Sequence, residues 1–195
     1  SNFIAASGGT ETTSGDFKIH TFTGPGTFTV SQISNTAADN TVSYLVIAGG
    51  GSGANSGAGD GGGGGGAGGY REYRAPVSGC YSVSPLNGNP GGTAVTITAQ
   101  AYPITVGAGG TAALANCGNS GANSVFSTVT STGGGGGGKA STVGIAGGSG
   151  GGGGGGAPGG SPAGAGNTPS TSPSQGFPGG LGGGGDGGNP AGVAG

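Results

Sequence analysis

The sequence predicts an all-β protein: a small β-sandwich followed by a bundle of left-handed polyglycine II helices, with essentially no α-helix. Three observations predict this class. Short runs of strand-forming residues occupy the first 130 positions, no apolar period of 3.6 residues lasts longer than a turn, and 59 of the 195 residues are glycine. Because the glycines come in solid blocks, the strict triplet repeat of a collagen triple helix is excluded.

The strands are predicted from alternating and continuous apolar runs. Residues 17–23 and 26–33 flank Gly24-Pro25-Gly26, which predicts a hairpin. The continuous apolar run at 41–48 predicts a strand buried on both faces, and further strands are expected within 93–108 and 123–132. The side chains expected to face the core are Phe17 or Phe22, Phe28, Leu45, Ile47, Ile97, Ile104, Val106 and Phe126.

Two domains are predicted, a β-rich domain at 1–130 and a polyglycine tail with Pro/Ser/Thr loops at 131–195. The tail has too few apolar side chains to bury a conventional core. Its order would have to come from the backbone, because a polyproline II helix has no internal hydrogen bonds and leaves every N–H and C=O for neighbouring chains. The runs expected to pack in this way are Gly61 to Gly66, Gly133 to Gly138, Gly150 to Gly156 and Gly182 to Gly185.

Catalytic chemistry finds little support in the sequence. His20 is the single histidine and the six carboxylates are scattered, so we expect neither an enzyme nor a cofactor or metal. Gly49-Gly50-Gly51 mimics a phosphate-binding turn but lacks the helix that should follow it. Four basic residues and a net charge of −2 disfavour nucleic-acid binding.

No signal peptide and no apolar stretch long enough to cross a membrane is recognisable. The chain begins at Ser1 without a methionine. We therefore expect a processed protein, or a piece of a longer polypeptide, that does not insert into a membrane.

The stretch YREYR at 70–74 has two interpretations. It is either a strand with a charged outer face or a contact surface for a glycan or another subunit, built from Tyr70, Arg71 and Tyr73. Aromatic and arginine side chains are the usual anchors of contact surfaces. On the same ground Tyr81, and Phe177 within the segment 157–178, are candidate receptor-binding residues.

Several blocks, taken in order, resemble a known family. SGDFKIHTFTGPGTFTV, VSYLVIAGGGSGA, GGGGGGAGGYRE, YPITVGAGG and NSVFSTVTSTGGGGGG together are similar to the glycine-rich domain of bacteriophage tail-fibre and related virion proteins. The resemblance covers most of residues 8–140. The sequence departs from it in APVSGCYSVSPLNGNPGGTAV and in 157–178.

The resemblance implies a module near the end of a virion appendage, outside the cell. Its partners would be a host surface glycan or outer-membrane protein and other fibre subunits, with a homotrimer as the expected assembly. Two functions stay open: a host-recognition tip, or a purely structural fibre subunit with no specific ligand. A receptor ectodomain of the anaplastic lymphoma kinase type is similar in having polyglycine helices beside a sandwich, but two cysteines argue against it.

Cys80 and Cys117 fit neither a CxxC redox motif nor a zinc site. In a virion, which leaves the reducing cytosol, a disulfide between them is expected. The alternative is two independent small apolar residues.

Overall fold

The computed structural model describes residues 2–55, 61–76, 92–114 and 116–184. Within these ranges the protein is all-β, as predicted, and its single helical turn is a 3₁₀ turn at Ala37–Asn40. The strands are β1 (Ala5–Ser7), β2 (Thr10–Ser14), β3 (Phe17–Thr21), β4 (Gly26–Gln32), β5 (Thr41–Val42), β6 (Tyr44–Ile47), β7 (Tyr70–Tyr73), β8 (Val95–Thr96), β9 (Ala101–Thr105), β10 (Ser124–Phe126) and β11 (Val129–Ser131).

The strands form one large sheet and three small ones. The large sheet has the order β1-β4-β9-β10-β11, and its neighbours are antiparallel. The pairs β2–β3, β5–β8 and β6–β7 form two-stranded antiparallel sheets. Strand β6 contacts β10 and β11, which places the β6–β7 pair against the large sheet.

The hydrophobic core lies between the large sheet and the small sheets that contain β6 and β8. The large sheet contributes Val30, Tyr102, Phe126 and Val129, and the facing side contributes Val46, Val95 and Ile97. Rings within this core meet edge to face, with Phe28 and Phe126 centroids 6.2 Å apart. Such offset pairs add stability beyond the area they bury.

The predicted core is partly right. Ile97 and Phe126 are buried, and Phe28 and Ile104 pack against the buried cluster. Phe22 and Val106 are half-buried, whereas Phe17 is 46% exposed on the thin β2–β3 pair.

The prediction that the strand within 41–48 is buried on both faces is wrong. Leu45 and Ile47 are 55% and 53% exposed, whereas Val46 is buried and Tyr44 packs against the core. A continuous apolar run was expected to be covered on both sides. In the structure β6 is covered on one face, so its side chains alternate between core and surface.

The hairpin predicted around Gly24-Pro25-Gly26 is also wrong, because β3 pairs with β2 and not with β4. The register Ser14↔Phe17 leaves Gly15 and Asp16 as a two-residue turn, with Gly15 at φ +57°. Turns of this kind match the twist of a hairpin and need positive φ, which glycine supplies without strain. Strand β2 was missed because its sequence, TETTS, carries no apolar residue.

Candidate functional site

The glycine-rich segments form rods, a name used here for stretches whose backbone bonds to neighbouring stretches at a spacing of three residues. The rods are 48–54, 61–69, 107–110, 116–122, 133–138, 142–148, 149–155, 161–166 and 177–183. They include residues on both sides of position 130. The predicted domain boundary stays a prediction, but hydrogen bonds cross it in many places.

Rod 133–138 shows the spacing most clearly. The N–H groups of Gly134 and Gly137 donate to the carbonyls of Gly49 and Ser52, at 2.9 and 3.0 Å. N–H donors three residues apart in this rod therefore bond to carbonyl acceptors three residues apart in a neighbouring rod that runs parallel to it. This is the repeat of a helix with three residues per turn.

The other sides of rod 133–138 follow the same rule. Its N–H groups at 135 and 138 donate to rod 149–155, and its carbonyls accept from rods 61–69, 116–122 and 142–148. The backbone hydrogen bonds thus join different glycine runs and do not form within a single run, as predicted. The backbone of this rod has the packing role that apolar side chains have in a conventional core.

The spacing between rods excludes side chains. A Cβ added at any glycine from Gly133 to Gly138 would lie far inside van der Waals distance of a neighbouring backbone carbonyl. Solid glycine blocks are therefore a packing requirement at this central rod. The described glycines of these blocks adopt positive φ only at Gly156, where a turn begins. Negative φ is what a left-handed polyproline II helix requires, although its handedness stays a prediction.

The rods alternate in direction, which gives the bundle two different ends. Rods 48–54, 133–138, 149–155 and 177–183 run one way, and rods 61–69, 116–122, 142–148 and 161–166 run the other. At one end the rods join strands β6, β7, β9, β10 and β11. The opposite end carries the reversals at 111–114, 139–141 and 156–160, and we call it the loop end.

The side chains at the loop end are strongly exposed. Leu114 is 82% exposed, and Lys139 is exposed as well. The turn at 156–160 contains Gly159 and Gly160, both with positive φ. Neither Leu114 nor Lys139 was among the predicted contact residues. Following the chain reversals between successive glycine runs in the sequence would have placed both residues at the same end of the bundle.

The predicted receptor-binding residues do not gather at the loop end. YREYR contains strand β7, as one interpretation predicted, but the charged outer face of that interpretation is wrong, because Arg71 and Tyr73 are buried at 7% and 9% exposure. Tyr70 is half-buried beside the sandwich, where its N–H donates to the carbonyl of Gln175 at 2.8 Å. Phe177 is 60% exposed but opens rod 177–183 at the sandwich end. Tyr81 lies outside the described residues.

Arg71 instead belongs to a polar cluster beside β6. Its Nη2 donates to Thr93 Oγ1 at 3.2 Å, and the rings of Tyr44 and Tyr73 stack with centroids 6.1 Å apart. Burial raises the pKa of Tyr44, an effect that the nearby Arg71 charge opposes.

The predicted contact segment 157–178 does not lie in one place. Residues 157–160 lie at the loop end, and residues 167–176 fold against the sandwich.

Gln175 joins the sandwich to the rods. It is 1% exposed, its Oε1 accepts from the N–H of Thr132 at 2.8 Å, and its Nε2 donates to the carbonyl of Pro169 at 2.9 Å. A fully buried amide with both ends bonded fixes the segment 167–176 in place.

Cys117 lies on the rod surface near the loop end. Its Sγ accepts from the N–H of Lys139 at 3.5 Å and lies 3.8 Å from Thr142 Oγ1. The hydrogen bond from Lys139 stabilises the thiolate and lowers the pKa of Cys117. Its predicted partner Cys80 lies outside the described residues, so the disulfide stays a prediction.

Other candidate sites are modest. His20 Nδ1 bonds to the carbonyl of Gly8 at 2.8 Å, which gives this side chain a structural role. A shallow cleft of about 240 Å³ lies between Gly9–Thr10 and residues 21–27, remote from the loop end. Within the described ranges no three His, Cys, Asp or Glu side chains are grouped to hold a metal. No helix in the described part of the chain is long and apolar enough to span a membrane.

Comparison with known proteins gives a family match. No curated protein and no solved structure matches the chain. The model of the glycine-rich domain family matches residues 21–195, nearly the whole chain and every rod described above. The protein therefore belongs to the glycine-rich domain family.

Proposed function

We propose that this protein is the tip module of a bacteriophage tail fibre or related virion appendage, and that it adheres to the host cell surface through its loop end. The observation that carries the proposal is the two-ended architecture. Rods that bond to each other through their backbones present several chain reversals at one end, and the sandwich occupies the other. Binding residues are commonly placed on loops that a rigid scaffold positions.

The sequence of the rods is more restricted than that of the loops, and this difference supports a role in adhesion. Glycines in a central rod cannot be replaced without moving a neighbouring backbone. The reversals at 111–114 and 139–141 contain no glycine, and all but two of their residues are side chains at exposed positions, so their sequence is less restricted than that of the central rods. A recognition surface can thus vary in sequence while its scaffold stays fixed.

The proposed partners are a host surface glycan or outer-membrane protein at the loop end and other fibre subunits, as a homotrimer, elsewhere. Binding, and not catalysis, is the proposed activity. At the loop end the exposed Leu114 offers an apolar contact and the exposed Lys139 offers a cationic one. A structural subunit without a ligand is the competing function, and the experiment below separates the two.

The test is binding of the fluorescently labelled chain to a panel of Gram-negative strains, each with and without its surface polysaccharide. Leu114→Asn is expected to reduce binding severalfold without changing the melting temperature. Leu45→Asn, at a leucine of the sandwich that is 55% exposed against 82% for Leu114, is the matched control and should leave binding unchanged. Failure of every strain to capture the chain would favour the structural subunit. Loss of binding in the control variant alone would move recognition to the sandwich.

A further inference from the structure

The β2–β3 hairpin extends from the sandwich with two faces of different chemistry. The register pairs Glu11 with His20 and Thr13 with Lys18, so these four side chains share one face. On that face Lys18 Nζ lies 3.3 Å from Glu11 Oε2. The His20 ring meets the ring of Phe28, which packs against the core, with centroids 5.0 Å apart. The charged side chains of both strands thus lie on the face that contacts the sandwich.

The opposite face of the hairpin carries only hydroxyl and apolar side chains, and we call it the neutral face. Its two apolar members, Phe17 and Ile19, are 46% and 45% exposed. Its hydroxyl groups form no hydrogen bond within the described part of the chain, so they are free to donate to a ligand and to accept from one. The members of the neutral face, all at exposed positions, are Thr10, Thr12, Ser14, Phe17, Ile19 and Thr21.

A cleft of about 240 Å³ continues the neutral face at the base of the hairpin, since Thr10 and Thr21 belong to both. Phe22 lines this cleft, and so do two more threonines, Thr23 and Thr27. None of the described residues that line the cleft carries a charge. The cleft and the neutral face therefore form one uncharged surface.

Phe22 is held in place by the backbone around it. A Cβ at Gly9 or at Gly26 would lie 3.1 Å from the Phe22 ring, so glycine at these two positions lets the backbone close on the ring. Gly9 has φ +66°, a conformation that glycine adopts without strain. The ring is half-buried, which leaves part of it accessible from the cleft. A preformed contact of this kind needs little ordering when a ligand binds.

The chemistry of this surface selects a class of ligand. Because no charged side chain lies on it, it offers no ion pair to an acid or a base. Its hydroxyls can bond to other hydroxyls, and its aromatic rings can cover C–H groups. Sugar rings combine these two properties, since they carry hydroxyls at the edge and C–H groups on the faces. The cleft is smaller than the roughly 300–1,000 Å³ of pockets that enclose drug-sized ligands, which suits a single ring.

We propose that the cleft and the neutral face bind a neutral oligosaccharide. One sugar ring lies in the cleft beside Phe22, and the next units follow the hairpin past Ile19 to Phe17. The four residues from Thr21 to Phe17 span about 14 Å at about 3.4 Å per residue. The site lies on the sandwich and is separate from the loop end, so it does not depend on the proposed function.

The test is a titration of the full ¹⁵N-labelled chain with neutral trisaccharides of glucose, mannose, galactose and N-acetylglucosamine, each to tens of millimolar. At least one is expected to shift the amide resonances of Thr10 and Phe22 saturably, with little change at Gly134 in the central rod. Phe17→Ser removes the exposed ring at the far end of the neutral face and should weaken binding by about tenfold. Phe177→Ser, at a phenylalanine that is 60% exposed on rod 177–183, is the matched control and should bind as the parent chain does.

A second pair of variants tests the hydroxyl groups. Thr21→Val replaces a hydroxyl of the cleft by a methyl group at nearly unchanged volume and should also weaken binding severalfold. Thr130→Val is its control, at an exposed threonine of β11, which lies at the opposite edge of the large sheet from β1. An unchanged Gly134 resonance in each variant will show that the fold is intact.

The proposal is overturned if no neutral trisaccharide shifts Thr10 and Phe22, if Phe17→Ser and Thr21→Val bind like their controls, or if a charged trisaccharide of galacturonic acid binds more tightly than the neutral ones. Stronger shifts with a proline-rich peptide would also overturn it and would assign the cleft to a protein partner. The loop-end variant Leu114→Asn should leave sugar binding unchanged, so this proposal and the proposed function can fail separately.

Discussion

Replacing Gly153 with alanine tests whether backbone contacts between rods stabilise the fold. A Cβ at this position would overlap the carbonyl oxygen of Ser161 and lie 2.7 Å from that of Pro162. Those two oxygens accept from the N–H groups of Gly182 and Gly144, at 2.9 and 3.1 Å. Moving them aside therefore strains two hydrogen bonds in addition to the steric cost.

The magnitude follows from these two terms. Overpacking costs about 1–3 kcal/mol and each impaired hydrogen bond about 0.5–1.5 kcal/mol, which together lower the free energy of unfolding by about 2–6 kcal/mol. At about 2–4 °C per kcal/mol for a chain of this size, the melting temperature should fall by several degrees or more. Limited proteolysis should also cut the variant faster.

The matched control is Gly53→Ala, also within a rod. Its Cβ would meet its nearest neighbour, the carbonyl oxygen of Gly63, at an ordinary 3.6 Å. Alanine there should be neutral or stabilising by about 0.4–1 kcal/mol, because it restricts the unfolded chain. Equal melting temperatures and equal proteolysis for the two variants would refute the reasoning.

Three further predictions concern the junction, the thiol and the core. Gln175→Ala should lower the free energy of unfolding by about 1–3 kcal/mol or more in chemical denaturation, because it leaves buried backbone groups unpaired; an unchanged midpoint would contradict this. In the reduced protein, alkylation of Cys117 should reach its half-maximal rate below the pH typical of a free thiol, since a lowered pKa gives thiolate at lower pH. Non-reducing mass spectrometry of the untreated chain will show whether it is two hydrogens lighter, as the predicted disulfide requires. Ile97→Ala should cost about 2–5 kcal/mol in the same denaturation assay and Ile47→Ala well under half as much, and equal losses would argue against the assigned faces.

The sequence carried enough information for the fold class and for the source of order in the glycine blocks. Both follow from local chemistry: strand-type residues without a helical period, and glycine runs whose only interacting groups are N–H and C=O. The bonding of Gly134 and Gly137 to separate runs agrees with that reasoning. Strand pairing did not follow, because it depends on which of two candidate turns joins paired strands in the folded protein. Gly15-Asp16 proved the effective hairpin turn, in a stretch with no apolar signal.

The candidate site was predicted less well. Residue type alone pointed to Arg71 and Tyr73, but long side chains with polar tips also pack inside a sandwich beside other aromatic rings, as these do. The loop end depends instead on the direction of each rod, which becomes visible only when partners are known. Glycine spacing in rod 177–183 could have indicated its position, since glycines 179 and 182, where a Cβ would clash, alternate with the exposed Pro178 and Leu181, whereas the central rod 133–138 is a solid glycine block.

Amide hydrogen exchange along rod 133–138 tests the central claim most directly, namely that the backbone of the glycine runs is the core of this part of the protein. The amides of Gly134, Gly135, Gly137 and Gly138 should exchange only through global unfolding, since each donates to a neighbouring rod. The amide of Gly136, which has no acceptor within the described residues, should exchange faster than these four. Exchange of all of these amides at the rate of an unstructured chain would contradict the account.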